Sequence, residues 1–419
     1  MGQVIADCGL RIADLKADKV QSSKFKVQSS KFKSCGLRTA DCIQRLKAIL
    51  PFCLLLFAIC HLPSTVLAQR QTPPDAWYQF RGNQDLTGLS ASNVRNTIKR
   101  LWAVDLGGDI ESSAAIVGTT VLVGTKKGEL VSLNLDNGKV WWRFSVAEVG
   151  ESSPAYNPND GIVYVADLNG WINAVYLKNG SKVWAFKTGS EIKSSPVYAD
   201  GRVLIGSYDE HLYCLNAKTG ALIWKYKTNG PVHATPSVIN GVVYSTGCDE
   251  IFRGIRLSDG KEVFRVASGA YIGASPAIVG QFAYYGTFNN DVFAIDLTNG
   301  KVAWRYAPQD RQFPFYSSAA VANGRVVLGG RDKRVHCLNM SDGKQLWTFT
   351  TRARVESSPA ISNGRVYVGS NDGKFYVLDL NSGAKLWEFN AGAAVSASPS
   401  ISSGKIVVGA VDGKLYCFG

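Results

Sequence analysis

The chain has 419 residues, with 46 Lys and Arg against 33 Asp and Glu, a formal net charge of +13, and 46% hydrophobic residues among 42 Gly and 45 Phe, Trp and Tyr. This composition excludes a disordered or collagen-like chain. Without residues 1–68, which hold ten of the basic and four of the acidic residues, the net charge falls to +7. No basic run remains, so nucleic acid is not an expected partner.

Residues 1–44 repeat CGLRIAD (Cys8 to Asp14) as CGLRTAD (Cys35 to Asp41), and KVQSSKF (from Lys19) again from Lys26. Tandem near-identity without an apolar period reads as a low-complexity leader outside any fold. Residues 45–68 read as a signal peptide. Arg45 and Lys47 precede a thirteen-residue apolar stretch, Ala48 to Cys60, and Val66-Leu67-Ala68 offers a cleavage site before Gln69. Ile59, before Cys60, is not the small residue that a lipid-attachment signal wants. The expected product is exported, in the periplasm or cell envelope, monomeric and without a membrane span. Residues 69–99 form a lead-in segment with Trp77-Tyr78-Gln79-Phe80-Arg81-Gly82. It lies outside any repeat and is expected to pack across an end of the fold as an extra strand or plug.

From residue 100 to 419 the chain repeats. Trp102, Trp142, Trp184, Trp224, Phe264, Trp304, Trp347 and Trp387 follow one another at intervals of 40 to 43 residues, a period that only blade and solenoid architectures explain. A Ser-Ser-Pro-like motif recurs eight times, ending at Ala114, Pro154, Pro196, Pro236, Pro276, Ala319, Pro359 and Pro399. Within a repeat, as in Ser194 to Gly230, four short β-branched and aromatic runs are separated by Gly, Asn and Asp turns, which is hairpin chemistry. The Gly after the third run recurs only seven times, from Gly138 to Gly383, and the chain ends just after its eighth third run. The first Trp strand, Leu101 to Leu106, precedes any complete repeat and would complete the last sheet. The prediction is an all-β, eight-bladed β-propeller of four-stranded antiparallel blades, closed by the N-terminal Trp strand, which removes two open sheet edges. Cys214, Cys337 and Cys417 share one repeat position in different blades, where small buried side chains are wanted, and are not expected to pair. Cys248 falls in a loop.

This repeat of apolar strand, Gly-Ser, Asp-Gly, aromatic strand, Asn-x-x-x-Gly and Trp strand resembles the pyrroloquinoline-quinone-type (PQQ-like) propeller repeat over residues 100–419. The family includes quinone-dependent dehydrogenases and non-catalytic envelope proteins of the BamB type. The resemblance to the dehydrogenases would imply a pair of adjacent cysteines, a Ca²⁺ site and a catalytic Asp. The chain has no Cys-Cys pair, and its near-minimal loops cannot supply the six to eight oxygens of a Ca²⁺ site. The expected function is therefore an exported, non-catalytic, protein-binding scaffold of the cell envelope, without metal or cofactor. The alternative is a quinone-binding oxidoreductase or sensor.

The residue before each Ser-Ser-Pro-like motif varies while the strands repeat. Round the ring it is Glu111, Glu151, Lys193, His233, Gly273, Tyr316, Glu356 and Ser396. Packing demands repetition, so these residues are expected to face the central channel as a partner site. Glu356, Glu111 and Glu151, with Ser396 between them, would form an exposed acidic arc for a basic segment, and Tyr316 with Phe315 an aromatic anchor. The other histidines beyond the leader, His211 and His336, fall on third strands, so no shared metal site is expected.

Overall fold

In the repeat Val197–Thr228 the sequence alternates little in its inner strands and strongly in its last one. Arg202–Ser207 is buried on both faces, whereas Leu222–Lys227 buries mainly Trp224. A sheet with that gradient must stand on edge between two neighbours, its first strand innermost and its fourth at the rim. A computed structural model, which describes residues 76–310 and 312–419, has eight such sheets. The proposed leader and signal peptide lie outside the described residues.

Blades one to seven each take four consecutive antiparallel strands. In blade three these are Val197–Ala199, Arg202–Ser207, His211–Asn216 and Leu222–Lys227. Blade eight takes Ser400–Ser402, Lys405–Gly409 and Lys414–Phe418 from the C-terminus, and its fourth strand is Arg100–Asp105. The ring is thus closed as the repeat count requires. No helix long and apolar enough to cross a membrane occurs among the described residues.

The recurring residues hold one blade to the next. In six blades the seam tryptophan donates its indole N–H to a carbonyl of the following blade, as Trp224 does to Leu257 at 2.9 Å. A register shift where the third and fourth strands pair accompanies it, as between Cys214 and Leu215, and bulges re-aim side chains in this way. The Trp224 ring lies against Gly260, which has φ +72° and whose added Cβ would meet the indole at 2.8 Å. That Gly therefore serves both the turn and the seam. Trp387, in blade seven, is only partly buried and packs against Phe375, Phe389 and Phe418. Its socket differs from that of Trp224, contrary to a strictly uniform repeat. Cys214, Cys337 and Cys417 are free and buried.

The lead-in segment is a plug built as a thread. Trp77 pairs with Ile116 of blade one, and the Tyr78 carbonyl accepts from Tyr156 of blade two. Gln79 Oε1 accepts from Tyr198 of blade three. The carbonyls of Gln84, Asp85, Thr87 and Gly88 then accept from Val238, Ile278, Val321 and Ile361, in blades four to seven. Leu89–Ser90 pairs in parallel with blade seven, and Ser90 Oγ donates to Ile401 of blade eight. One segment thus touches all eight innermost strands in order. Arg81, fully buried within it, donates to the carbonyls of Ser358 and Ala319 at 3.0 and 3.1 Å.

Candidate functional site

The hydroxyls of the Ser-Ser-Pro-like motifs do two structural tasks. In four of the motifs the first hydroxyl accepts from a Gly amide of its own second strand, as Gly206 to Ser194 at 3.3 Å and Gly369 to Ser357 at 3.1 Å; in three others Ala stands there. The second accepts from the corresponding amide of the preceding blade: Ser113 to Ser153, Ser153 to Ser195, Ser195 to Thr235, and on to Ser398, at 2.9–3.0 Å. With the motif so pinned, the residue before it turns to the axis. Glu111, Glu151, Lys193, His233, Gly273, Tyr316, Glu356 and Ser396 all line one axial cavity of about 230 Å³, with Phe80 of the thread in its lining.

The cavity is spanned rather than open. Tyr316, from blade six, reaches Glu151 on the opposite side of the ring, its hydroxyl 2.7 and 2.8 Å from the two carboxylate oxygens. His233 Nε2 lies 2.8 Å from the same hydroxyl, and His233 Nδ1 lies 2.7 Å from the Tyr208 hydroxyl. Because the Tyr316 proton goes to Glu151, a neutral His233 donates from Nε2 to Tyr316 and accepts from Tyr208 at Nδ1. The ammonium of Lys193 stands 5.2 Å over the Tyr208 ring.

The expected exposed acidic arc is corrected by the structure. Glu356 accepts from Arg331 at 2.9 and 3.0 Å and lies 3.4 Å from Arg354, while Asn371 donates to its other oxygen at 3.2 Å. Glu111 pairs with Lys126 at 3.0 Å. Burial pushes the Glu111 carboxyl up; Lys126 opposes the rise and Glu151 adds to it. Carboxylates withdrawn from water this far need partners, and the loops supply cations. The mouth is a set of matched pairs, so the expected preference for a basic segment loses its basis. Phe315 is also corrected. It is fully buried, packs 5.0 Å from His336, and its Cβ is the atom closest to a Cβ built on Gly286. In an extended run neighbouring side chains point to opposite faces; Tyr316 takes the channel and Phe315 the core. Ser396 Oγ is buried with no hydrogen-bond partner among the described residues.

Lys126, Tyr208, Phe288 and Arg331 were not singled out from sequence. They share one repeat position, just after the second strand, where the other blades carry Leu168, Cys248, Asn371 and Val411. The same contrast of variable residue against repeating strand marks this second tier. His336 is buried and paired with Asp332 at 3.0 Å, while His211 is part-buried beside Asp209. Among the described residues no group of three or more His, Cys, Asp or Glu is placed to share a metal ion.

A family model described as outer membrane protein assembly factor BamB matches residues 90–172, 168–313 and 307–418. The outer membrane protein assembly factor BamB of Francisella salina is 24% identical over 110 residues, 26% of this chain. The match spans only 20% of that relative's length. Among solved structures, BamB from Moraxella catarrhalis superposes with a TM-score of 0.65 at 16% identity, over 77% of this chain and 97% of that one. A europium-containing methanol dehydrogenase does so with a TM-score of 0.69 at 14% identity, over 83% and 98%. At such identities the structural likenesses establish the fold alone.

Proposed function

The chain belongs to the family described as outer membrane protein assembly factor BamB, and on that premise we propose that it is an exported, non-catalytic β-propeller. In this reading it binds a protein partner in the cell envelope, as a scaffold in outer-membrane assembly, through the mouth of its axial channel. The observation that carries the reading is how the axial groups are used. Glu151, Tyr316, His233 and Tyr208 satisfy one another across the axis. Glu111 and Glu356 are held by Lys126 and by Arg331 with Arg354. Such a spanned, self-paired axis rigidifies a ring and presents a polar surface; it does not pose an acid and a base around a substrate.

Two features weigh against a flat tricyclic quinone in this reading. The axial cavity, about 230 Å³, is smaller than the roughly 300–1,000 Å³ of small-molecule sites. The Tyr316–Glu151 hydrogen bond also joins two residues of the cavity lining that come from opposite sides of the ring.

The test is capture of partners from envelope extract by the wild-type protein and by a Lys193→Glu, Arg354→Glu double variant, chosen because Arg354 is the more exposed of the two arginines on Glu356. The expected result is a captured outer-membrane assembly component, lost in the variant although its circular dichroism stays that of the wild-type fold, and fading as salt rises. Identical capture by the variant would refute the channel-mouth site. A saturable absorbance change on adding the quinone to purified protein would refute the non-catalytic reading.

A further inference from the structure

Away from the axis, between blades one and two, lies a second cavity of about 650 Å³. Four departures from the repeat meet in its lining. Trp141, 52% exposed, precedes the seam tryptophan of blade one, where the other blades carry aliphatic residues such as Leu101, Ile223, Leu346 and Leu386. Tyr176, 45% exposed, ends the third strand of blade two. Five other blades have Asn or Asp there, whose Oδ1 caps the turn by accepting the amide two residues on: Asn134, Asn216, Asp296, Asn339 and Asp379, at 2.7–3.0 Å. A phenol cannot make that bond, so this turn gives up a cap and exposes a ring.

The third departure is the turn between the first two strands of blade two, residues 158–161, longer by two residues than turns such as Asp200-Gly201. It is braced by Asn157 to Asp160 at 3.0 Å and by Asn159 to the Tyr198 hydroxyl at 2.7 Å, and it brings Asp160 into the lining. The fourth is Ser132, at the position occupied elsewhere by Ala174, Cys214, Gly254, Ala294, Cys337, Val377 and Cys417. It is fully buried, lines the cavity, and its hydroxyl has no hydrogen-bond partner among the described residues.

A repeat retains what packing needs, and local rules are broken where a site is built. We infer that this groove binds a short stretch of glycan, independently of the axial site. Sugar rings have flat C–H faces and hydroxylated edges. Exposed Trp141 and Tyr176 match the faces, while Asp160, Thr119 and Asn179 match the edges. Among the described residues Lys178 is the one cation in the lining and Asp160 offsets it, which does not suit a polyanion. A lipid tail would need continuous apolar walls, and here hydroxyl, amide and carboxylate groups interrupt them.

The test is titration of the intact protein with triacetylchitotriose, with maltotriose, and with a proline-rich decapeptide, read by calorimetry and Trp fluorescence. Saturable binding of one of the sugars in the millimolar range or tighter is expected. Trp141→Leu and Tyr176→Asn, each restoring a residue that other blades carry, should each weaken it about tenfold. Their melting temperatures should be unchanged or raised. Preference for triacetylchitotriose would assign the source to an N-acetylated, wall-type glycan, and preference for maltotriose to a neutral glucan. No saturable response to either sugar, binding of the peptide instead, or unchanged affinity in both variants would overturn the inference.

Discussion

Exchanging the aromatic residues at two adjacent seams tests how the ring is held. Trp224 is buried, donates to the Leu257 carbonyl at 2.9 Å and rests on Gly260. Trp224→Phe forfeits that hydrogen bond, about 0.5–1.5 kcal/mol, and apolar burial of about 1 kcal/mol, so a loss of about 2 kcal/mol is expected. Phe264 fills the corresponding place in blade four, but its seat is looser: a Cβ added at Gly300 would lie 3.4 Å from its ring, against 2.8 Å at Gly260. Leu297 follows Phe264 by the same 33 residues that separate Leu257 from Trp224. An indole at 264 therefore has clearance on the Gly300 side, though the ring is close to Gly254, where an added Cβ would lie 2.6 Å from it; with a carbonyl to address, Phe264→Trp should gain about 1 kcal/mol. Urea denaturation reads both changes as shifts of midpoint at constant slope. If Phe264→Trp instead costs more than about 1 kcal/mol, the seat is already full and seam geometry does not follow from the glycine contact.

Trp102→Ala, which empties the closing strand and frees the Leu135 carbonyl from its 2.9 Å hydrogen bond, should cost about 3–5 kcal/mol; an unchanged denaturation midpoint would show that the ring does not depend on closure there. Arg81→Ala leaves the Ser358 and Ala319 carbonyls without their buried donor and should cost about 2–5 kcal/mol, read by thermal melts. Burial pushes the thiols of Cys214, Cys337 and Cys417 up to about 12 from an ordinary value near 9. The folded chain keeps protons that the unfolded chain sheds, so stability should fall as pH climbs above about 9. Thiol reagents at pH 8 should label these three only after unfolding, and rapid labelling of the native protein would contradict their burial.

Much of the ring is legible in the sequence because each seam needs the same few groups. Trp224, Gly260 and the paired hydroxyls recur for reasons that are local and shared by most blades. The axial position is legible for the converse reason, since no seam constrains it. What escapes is pairing between elements far apart in the chain. Nothing near Glu356 announces that Arg331 will hold it, and nothing near Glu151 announces Tyr316, 165 residues away. The reading of Phe315 as an anchor fails on a single alternation of side-chain direction. The lead-in segment is legible as a plug, but its path from blade to blade escapes, because most of its contacts are made by backbone carbonyls, which no residue type marks.

That thread has a consequence for how such a ring can change. Repeat proteins vary readily by gaining or losing a unit, since each unit touches only its neighbours. Here Trp77 to Ser90 meets the innermost strands of all eight blades in succession. A duplication or deletion of one blade would throw every later station out of step, leaving buried amides without acceptors at about 1–3 kcal/mol each. Fourteen residues that belong to no repeat thus act as a gauge of the circumference, and tie the number of blades to the length of a segment that contains none of them.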